Sequence, residues 1–440
     1  PCRNALDAGE TIGMSPSPAL SEPFYCGCET EPEPGALLSV DGALRRALAL
    51  AVPVTETERL PLDRAHGLVL AEAVRADVSL PLFDNSAMDG YAVRLADFSG
   101  DGPWRLRLAG RVAAGDAGDM PVPAGATLRI FTGAAIPPGC DAVVIQELTR
   151  QEGETIEIRR RPEPGENIRR AGEDLAFGSE LLPAGRRLGP RAAALLASAG
   201  CGDVAVKRRV RIAYFSTGSE LRSPGTVLAP GQIWNANRYH LAGVLDLPWI
   251  ETIDMGSVPD RPDLLQQTLE QASRQADMVV TTGGVSVGDE DHMPAVLRAA
   301  GGEIHVMKVA IKPGKPLVIG RIGAARYLGL PGNPVSAFAI WHVIGMRIAQ
   351  ALAGIVETDP PRILVRAGFE RPRRSGRCEF LPARLGSHDG QGTRTVEIAT
   401  SEVSHRVALL AQADGLLLIP SETDRIQRGD MLEFLPFSDG

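Results

Sequence analysis

Apolar positions change their spacing three times along the chain, and each change predicts a different kind of structure. From Ser39, the residues Val40, Ala43, Leu44, Ala47 and Leu48 recur at helical spacing, which predicts a helix to about Leu50 capped by Ser39 or Asp41. Between residues 54 and 200 the runs are short and alternating, as in Trp104–Leu108, Thr127–Phe131, Ala142–Gln146 and Thr155–Ile158. Pro and Gly turns separate them, so this region reads as β-rich, with a helix returning near Arg191–Ala199. From Val210 strands and helices alternate. Strands are expected at Arg211–Phe215, Ile250–Met255, Asp277–Thr281, Leu317–Ile319 and Arg326–Leu330. Helices are expected at Asn237–Leu245, Pro262–Gln275, Pro294–Ala300 and Val335–Leu352. That alternation predicts a doubly wound α/β unit with a parallel sheet covered on both faces. The segment Glu357–Arg362 reads as a linker, and strands at Ile363–Arg366, Cys378–Leu381, Thr395–Ile398, Gly415–Ile419 and Met431–Phe434 predict a small β domain after it. No repeat of solenoid length is present. The fold class is therefore α/β plus β, in a multi-domain chain.

Composition bounds what such a chain does. At roughly 150 residues per domain, a chain of 440 residues holds several cores. The formal net charge of −8 gives no support to nucleic-acid binding through a basic surface, although a local cationic pocket is still allowed. Residues 1–36 are rich in Pro, Glu, Ser and Gly and read as a disordered tail. Six cysteines are too few for a disulfide framework, which suits a reducing cytoplasm. Cys26 and Cys28 have no second Cys or His pair nearby to complete a zinc site. No apolar run reaches 18 residues; Val335–Leu352 is interrupted by His342, Arg347 and Gln350 and reads as a buried helix, not a membrane span. The first residues lack the basic-then-apolar pattern of a secretory signal.

Candidate chemistry sits on loops that follow the α/β strands, where open α/β sheets bind ligands. Thr281–His292 combines Gly283 and Gly284 with the hydroxyls of Thr282 and Ser286, and then Asp289 and Asp291. Glycines there let backbone N–H groups converge on an oxyanion, and the acids offer hard oxygens to Mg²⁺. A Gly-Gly alone would read first as a solvated turn with a helix cap; the glycines, hydroxyls and alternating carboxylates together favour the ligand site. In Lys308–Pro316, Lys312 and Lys315 flank a Pro-Gly turn, and their mutual repulsion favours an anion between them. Two lysines pointing separately into water is the other reading. Leu328–Ala337 is stiffened by Pro331 and Pro334 and opens into a helix. Ser216–Glu220 repeats the theme of a glycine after a strand. Together these loops describe a pocket for a phosphate-bearing or oxyanion ligand. No Ser-His-Asp grouping, HExxH or P-loop lysine signature is present, so hydrolase, zinc-protease and Walker-type ATPase readings are set aside.

Five long motifs go further. Asp84-Asn-Ser-Ala-Met-Asp-Gly-Tyr-Ala-Val93, Gly165-Glu-Asn-Ile-Arg-Arg-Ala-Gly-Glu-Asp174, Thr282-Gly-Gly-Val-Ser-Val-Gly288, Lys312-Pro-Gly-Lys-Pro316 and Leu330-Pro-Gly-Asn-Pro-Val-Ser336 resemble the molybdopterin molybdenumtransferase family, which includes bacterial MoeA and the E domain of gephyrin. The resemblance runs over about residues 37–437. It implies insertion of molybdate into adenylylated molybdopterin, with Mg²⁺ as cofactor and release of AMP. It also implies an elongated homodimer, with a molybdopterin adenylyltransferase and molybdoenzymes as further partners and no nucleic acid or membrane among them. The implied domains are 37–56 as a helix belonging with the α/β domain, 57–80 and 171–206 as a linking domain, 81–170 as the β-rich domain, 207–356 as the molybdopterin-binding α/β domain, and 361–437 as the C-terminal β domain.

The same resemblance assigns residues. Asp89 and Thr132 match functional residues reaching in from the partner subunit, and Glu220, Asp260 and Asp291 match functional acids. Asp291, then Asp289, are the implied Mg²⁺ ligands. Thr282, Gly283, Gly284, Ser286, Lys308, Lys312, Lys315, Pro331, Pro334 and Ser336 are implied in binding substrate. Arg377 and Ser404 match residues that help bind molybdate. Departures are Ser219 where an Asp commonly stands, Trp234 for a Tyr, Asn235 for an Asp, and Val403 and His405 for glycines. A scaffold that keeps the fold and organises partner proteins is the alternative from another class, and it would tolerate loss of Asp291. Tungstate in place of molybdate is a third reading.

Overall fold

The structure is a computed structural model that describes residues 37–285, 292–356, 361–388, 390, 392–398 and 406–437. The expected tail, Cys26 and Cys28, and residues 357–360 of the expected linker lie outside the described residues. The first helix spans Val40–Leu50, and Ser39 caps it by accepting a hydrogen bond from the Gly42 N–H at 3.0 Å. Its face of Val40, Ala43, Leu44 and Ala47 is buried in the same core as the later α/β strands.

The β-rich region is a six-stranded sheet in the order Ala142–Ile145, Gly90–Val93, Ala126–Ile130, Trp104–Val112, Thr155–Ile158, Thr149–Glu152. Trp104–Val112 runs beyond the predicted end because a bulge between Leu108 and Gly110 lets it pair with Thr155–Ile158 through its first half and with Ala126–Ile130 from Arg107 onward. Each face buries its own apolar cluster, one around Tyr91 and Ile156 and one around Leu128 and Ile130. A separate small core, built from Leu68, Leu70, Leu188, Leu196 and Val206, joins the antiparallel pair Thr57–Pro61 and Asp203–Lys207 to the helix Pro190–Ser198.

Downstream, the α/β sheet has the strand order Ile250–Val258, Val210–Thr217, Met278–Thr282, Ala325–Leu330, Val318–Ile322, Glu303–Met307. The first four strands are parallel and Val318–Ile322 runs antiparallel to both of its neighbours, which corrects the expectation of a parallel sheet. The physical reason is the connection: only Gly323 and Ala324 separate Val318–Ile322 from Ala325–Leu330, too short for a crossover and enough for a hairpin. One face buries Leu241, Met278, Leu328 and Trp341, and the other Phe215, Leu269, Met293 and Tyr327.

The expected helix Val335–Leu352 is present as Pro334–Ile340 and Met346–Ala353, joined by a wide π turn at Trp341–Gly345. The fully buried indole of Trp341 occupies the space a side chain at Gly345 would need, and the turn opens to seat it. This 20-residue stretch is long and apolar enough to cross a membrane, but 78% of its most apolar window is buried inside the protein. The C-terminal strands wrap into a barrel-like sheet closed by pairing of Cys378–His388 with Gly415–Ile419. Its edge recruits a piece of the α/β domain, because Ile311–Lys312 pairs in parallel with Cys378–Glu379. Phe380, Leu416 and Leu435 extend the α/β core into this domain.

Candidate functional site

Three loops that end α/β strands, or link them, converge on a crevice of about 240 Å³ lined by Gly284, Val285, Gly314, Pro316, Pro331, Gly332, Asn333 and Ser336. They are the Thr-Gly-Gly, Lys-Pro-Gly-Lys and Pro-Gly-Asn-Pro segments singled out from the sequence. The walls are mostly backbone, glycine and proline, which brings peptide groups close to whatever enters. Gly283 shows why glycine is needed: its φ is +94°, and a Cβ there would stand 2.6 Å from the Thr217 carbonyl oxygen.

Buried polar atoms gather around the crevice without hydrogen-bond partners among the described residues: Thr217 Oγ1, Asn237 Oδ1 and Asn333 Oδ1. Thr217 Oγ1 lies against the glycine pair, and Asn237 donates through Nδ2 to the Gly332 carbonyl at 2.8 Å. Such atoms are costly to bury unless a ligand or water completes them. Neither Thr217 nor Asn237 was singled out from the sequence.

Beneath the crevice a buried ladder of hydroxyls and an amide ties three strand ends together. Thr282 donates to Ser216 at 2.9 Å, Ser216 to Asn235 at 3.3 Å, and Asn235 through Nδ2 to Ser257 at 2.9 Å. Thr282 thus directs its hydroxyl proton into the framework, and the Gly283 N–H donates to the Leu330 carbonyl at 3.0 Å. Asn235 also caps the helix Ala236–Leu245. Its amide donates where a carboxylate could not, which gives the Asn a structural rationale.

The lysine loop is held against the C-terminal domain. Lys312 Nζ stands 3.5 Å from the carboxylate of Glu379, which is only 3% exposed. Arg371 Nη1 donates to the same carboxylate at 3.0 Å, and Arg373 Nε lies 3.6 Å from it. Arg373 in turn donates to the Arg377 carbonyl. Lys312, one of the two lysines whose spacing left open either a shared anion or separate solvation, has an internal carboxylate beside it. Lys315 is exposed, between crevice-lining Gly314 and Pro316. Lys308 is half-buried with a left-handed backbone (φ +64°), and its N–H donates to the Leu317 carbonyl at 3.1 Å.

Among the acids, Asp260 accepts from the Ser219 N–H at 2.9 Å while its own N–H donates to Ser219 Oγ at 3.1 Å. Glu220 is exposed, with its carboxylate folded over Gly218. In the β-rich domain, Asp89 Oδ1 accepts from both the N–H and the hydroxyl of Thr132, each at 2.8 Å. Those two bonds, the backbone one first, hold the Asp89 carboxyl below the usual range. No residue of the β-rich domain lines the crevice. Ser286, Asp289, Asp291, Ser404, Val403 and His405 lie outside the described residues.

A larger cavity of about 580 Å³ opens on the other side of the helix Pro334–Ile340. Pro334 belongs to this second cavity, along with His240, Phe338, Asp414 and Phe437. Burial, with His342 nearby, pushes His240 down to about 3, and neither of its ring nitrogens has a hydrogen-bond partner among the described residues.

Comparison with known proteins agrees along the whole described chain. Residues 38–200 match the MoeA N-terminal region (domains I and II), residues 213–351 a probable molybdopterin-binding domain, and residues 365–437 the MoeA C-terminal region (domain IV). A molybdopterin molybdenumtransferase of Haemophilus influenzae is 35% identical over 404 residues, covering 91% of this chain and 99% of its own. One from Nostoc is 37% identical over 372 residues, covering 83% and 85%. The crystal structure of the molybdopterin biosynthesis MoeA protein of Pyrococcus horikoshii superposes with a TM-score of 0.77 at 29% identity, covering 91% of this chain and all of that one. With this fold, these matched regions and relatives of this extent, the chain belongs to the molybdopterin molybdenumtransferase (MoeA) family.

Proposed function

We propose a course for the family reaction in this chain. The chain is an enzyme of molybdenum cofactor biosynthesis that inserts molybdenum into molybdopterin. In the course proposed, the pterin substrate arrives adenylylated, the two dithiolene thiols bind molybdate and expel one of its oxygens as water, and water cleaves the phosphoanhydride so that AMP leaves and the pterin keeps its phosphate. The observation that carries this reading is the crevice. Three glycine- and proline-rich loops, distant in sequence, meet there around unpartnered buried polar atoms and beside the Lys312–Lys315 loop. A pterin phosphate and a tetrahedral dianion both need dense hydrogen-bond donors and fixed positive charge.

Within this course, Lys315 and Arg377 contact molybdate, with Lys312 held beside them by Glu379. Ser336 and Asn333 position the substrate in the crevice. Asp89, through its pair with Thr132, comes from the second copy in a homodimer. Mg²⁺ needs only one or two carboxylates when substrate phosphates complete its shell. Asp291 and Asp289 would hold the ion, and Glu220 and Asp260 are the further acids on strand-end loops of the α/β sheet. When bound, Mg²⁺ neutralises phosphoanhydride charge as AMP departs. A cytoplasmic setting belongs to the same reading, and Cys140, Cys201 and Cys378 are free thiols.

The test is AMP release from adenylylated molybdopterin by purified, folded protein. Release that requires both molybdate and Mg²⁺ is the expected result. No turnover with either oxyanion, molybdate or tungstate, would remove the reading.

A further inference from the structure

Glu379 stands at the junction of the α/β and C-terminal domains. It lies on the strand Cys378–His388 of the C-terminal barrel, one residue into its pairing with the α/β domain, in register with Lys312. Its carboxylate is 3% exposed and faces cations from both domains: Lys312 at 3.5 Å, Arg371 at 3.0 Å and Arg373 at 3.6 Å. The Arg373 side chain is itself 2% exposed and donates to the Arg377 carbonyl. One buried acid therefore pairs with Lys312 directly and with the arginine that holds the Arg377 backbone, and those two residues come from different domains. A lysine alone on its flexible stem loses side-chain entropy when it must meet an anion at a fixed point. A lysine already held by a buried carboxylate has lost that freedom before the anion arrives.

We propose that Glu379 is a positioning residue that preorganises the oxyanion site across the domain boundary, holding Lys312 directly and the Arg377 segment through Arg373. The proposal rests on the reading of the lysine loop given above. It differs from a role in stability alone, because a staple between domains would change folding and leave the affinity of folded protein for molybdate untouched.

Steady-state AMP release with molybdate varied decides between them. Glu379→Gln keeps the shape and removes the charge. The KM for molybdate is expected to rise about tenfold or more, with kcat at saturating molybdate and the KM for adenylylated molybdopterin each within about threefold of wild type. Glu379→Asp keeps the charge and is expected to recover part of the loss. An unchanged molybdate KM in folded Glu379→Gln overturns the proposal. So does failure of both variants to fold, since Glu379 would then be a structural staple. Lys315→Ala, run alongside, separates the two levels of inference. If it too leaves the molybdate KM unchanged, the lysine-loop reading fails. If it raises the KM while Glu379→Gln does not, only the role of Glu379 falls.

Discussion

The helix Pro334–Ile340 has a cavity on each side, and the two are built in different ways. The smaller is walled by glycine, proline and backbone, surrounded by unpartnered oxygens and flanked by lysines. The larger is walled by side chains, among them Phe338, Phe437 and Leu410, and its titratable groups are a neutral histidine and Asp414. An anion gains nothing in the larger space, where an acid repels it and His240 resists protonation. Volume therefore misdirects, and the donor chemistry of the wall decides which cavity suits an oxyanion.

The sharpest way to break this contrast is to remove charge on the crevice side. Lys315→Ala is expected to lower kcat/KM for molybdate by about 100- to 1,000-fold, the usual effect of losing one preorganised donor to developing or fixed negative charge. Ala411→Val in the larger cavity is expected to leave turnover within about threefold, because an exposed residue beside no reacting group changes little. Comparable losses in both variants would mean that the two cavities form one functional space.

The larger cavity has its own signature, in acid. His240 titrates near 6.5 when unfolded, and burial brings it down to about 3 in the fold. At pH 7 it is neutral in the fold and mostly neutral when unfolded, so it contributes little to pH dependence there. As pH falls from 6.5 toward 3 the unfolded chain takes up a proton that the fold refuses, so stability is lost across that window, by about 3 kcal/mol at pH 4. His240→Phe is expected to remove that loss, read as a wild-type-minus-variant difference in denaturant unfolding that widens from pH 7 to pH 4. An equal acid response in both proteins would show that water reaches the ring.

How much of this was legible beforehand follows from the range of the forces involved. Gly283, Pro331 and Lys315 stood out because each belongs to a short motif whose turn geometry is local. The antiparallel edge of the α/β sheet was not legible, because Glu303–Met307 is a short strand of mixed polarity and its partner's hairpin rests on two residues. Glu379 was missed because its meaning depends on a register between Lys312 and a strand in another domain. Thr282 looked like a ligand donor because composition counts hydroxyls and cannot say which neighbour takes the proton.

A backbone-built wall should also be less forgiving than a side-chain-built one. Gly283→Ala adds one methyl group at φ +94°, 2.6 Å from the Thr217 carbonyl oxygen. The expected cost is about 2 kcal/mol of stability together with weakened substrate binding, read by denaturant unfolding and by KM for adenylylated molybdopterin. A variant as stable as wild type would mean that the glycine pair has room to shift, and the argument for a rigid crevice would go with it.

The smallest expected effect concerns Ser219, where relatives of this kind commonly carry an acid in the sequence reading above. Its N–H and hydroxyl form a reciprocal pair with Asp260. Ser219→Asp would keep the acceptor for the Asp260 N–H and set a second carboxylate beside the first. Two effects then oppose each other. Like charges at an exposed site cost about 0.5 kcal/mol of stability without metal. The same added charge draws a divalent cation more strongly, so the Mg²⁺ concentration for half-maximal AMP release is expected to fall about threefold. Because Ser219 and Asp260 lie on strand-end loops of the α/β sheet, the shift should appear in the Mg²⁺ titration and leave the acid response of His240 unaltered. A change in that acid response would link the metal loop to the aromatic cavity and undo the separation between the two sides of the helix.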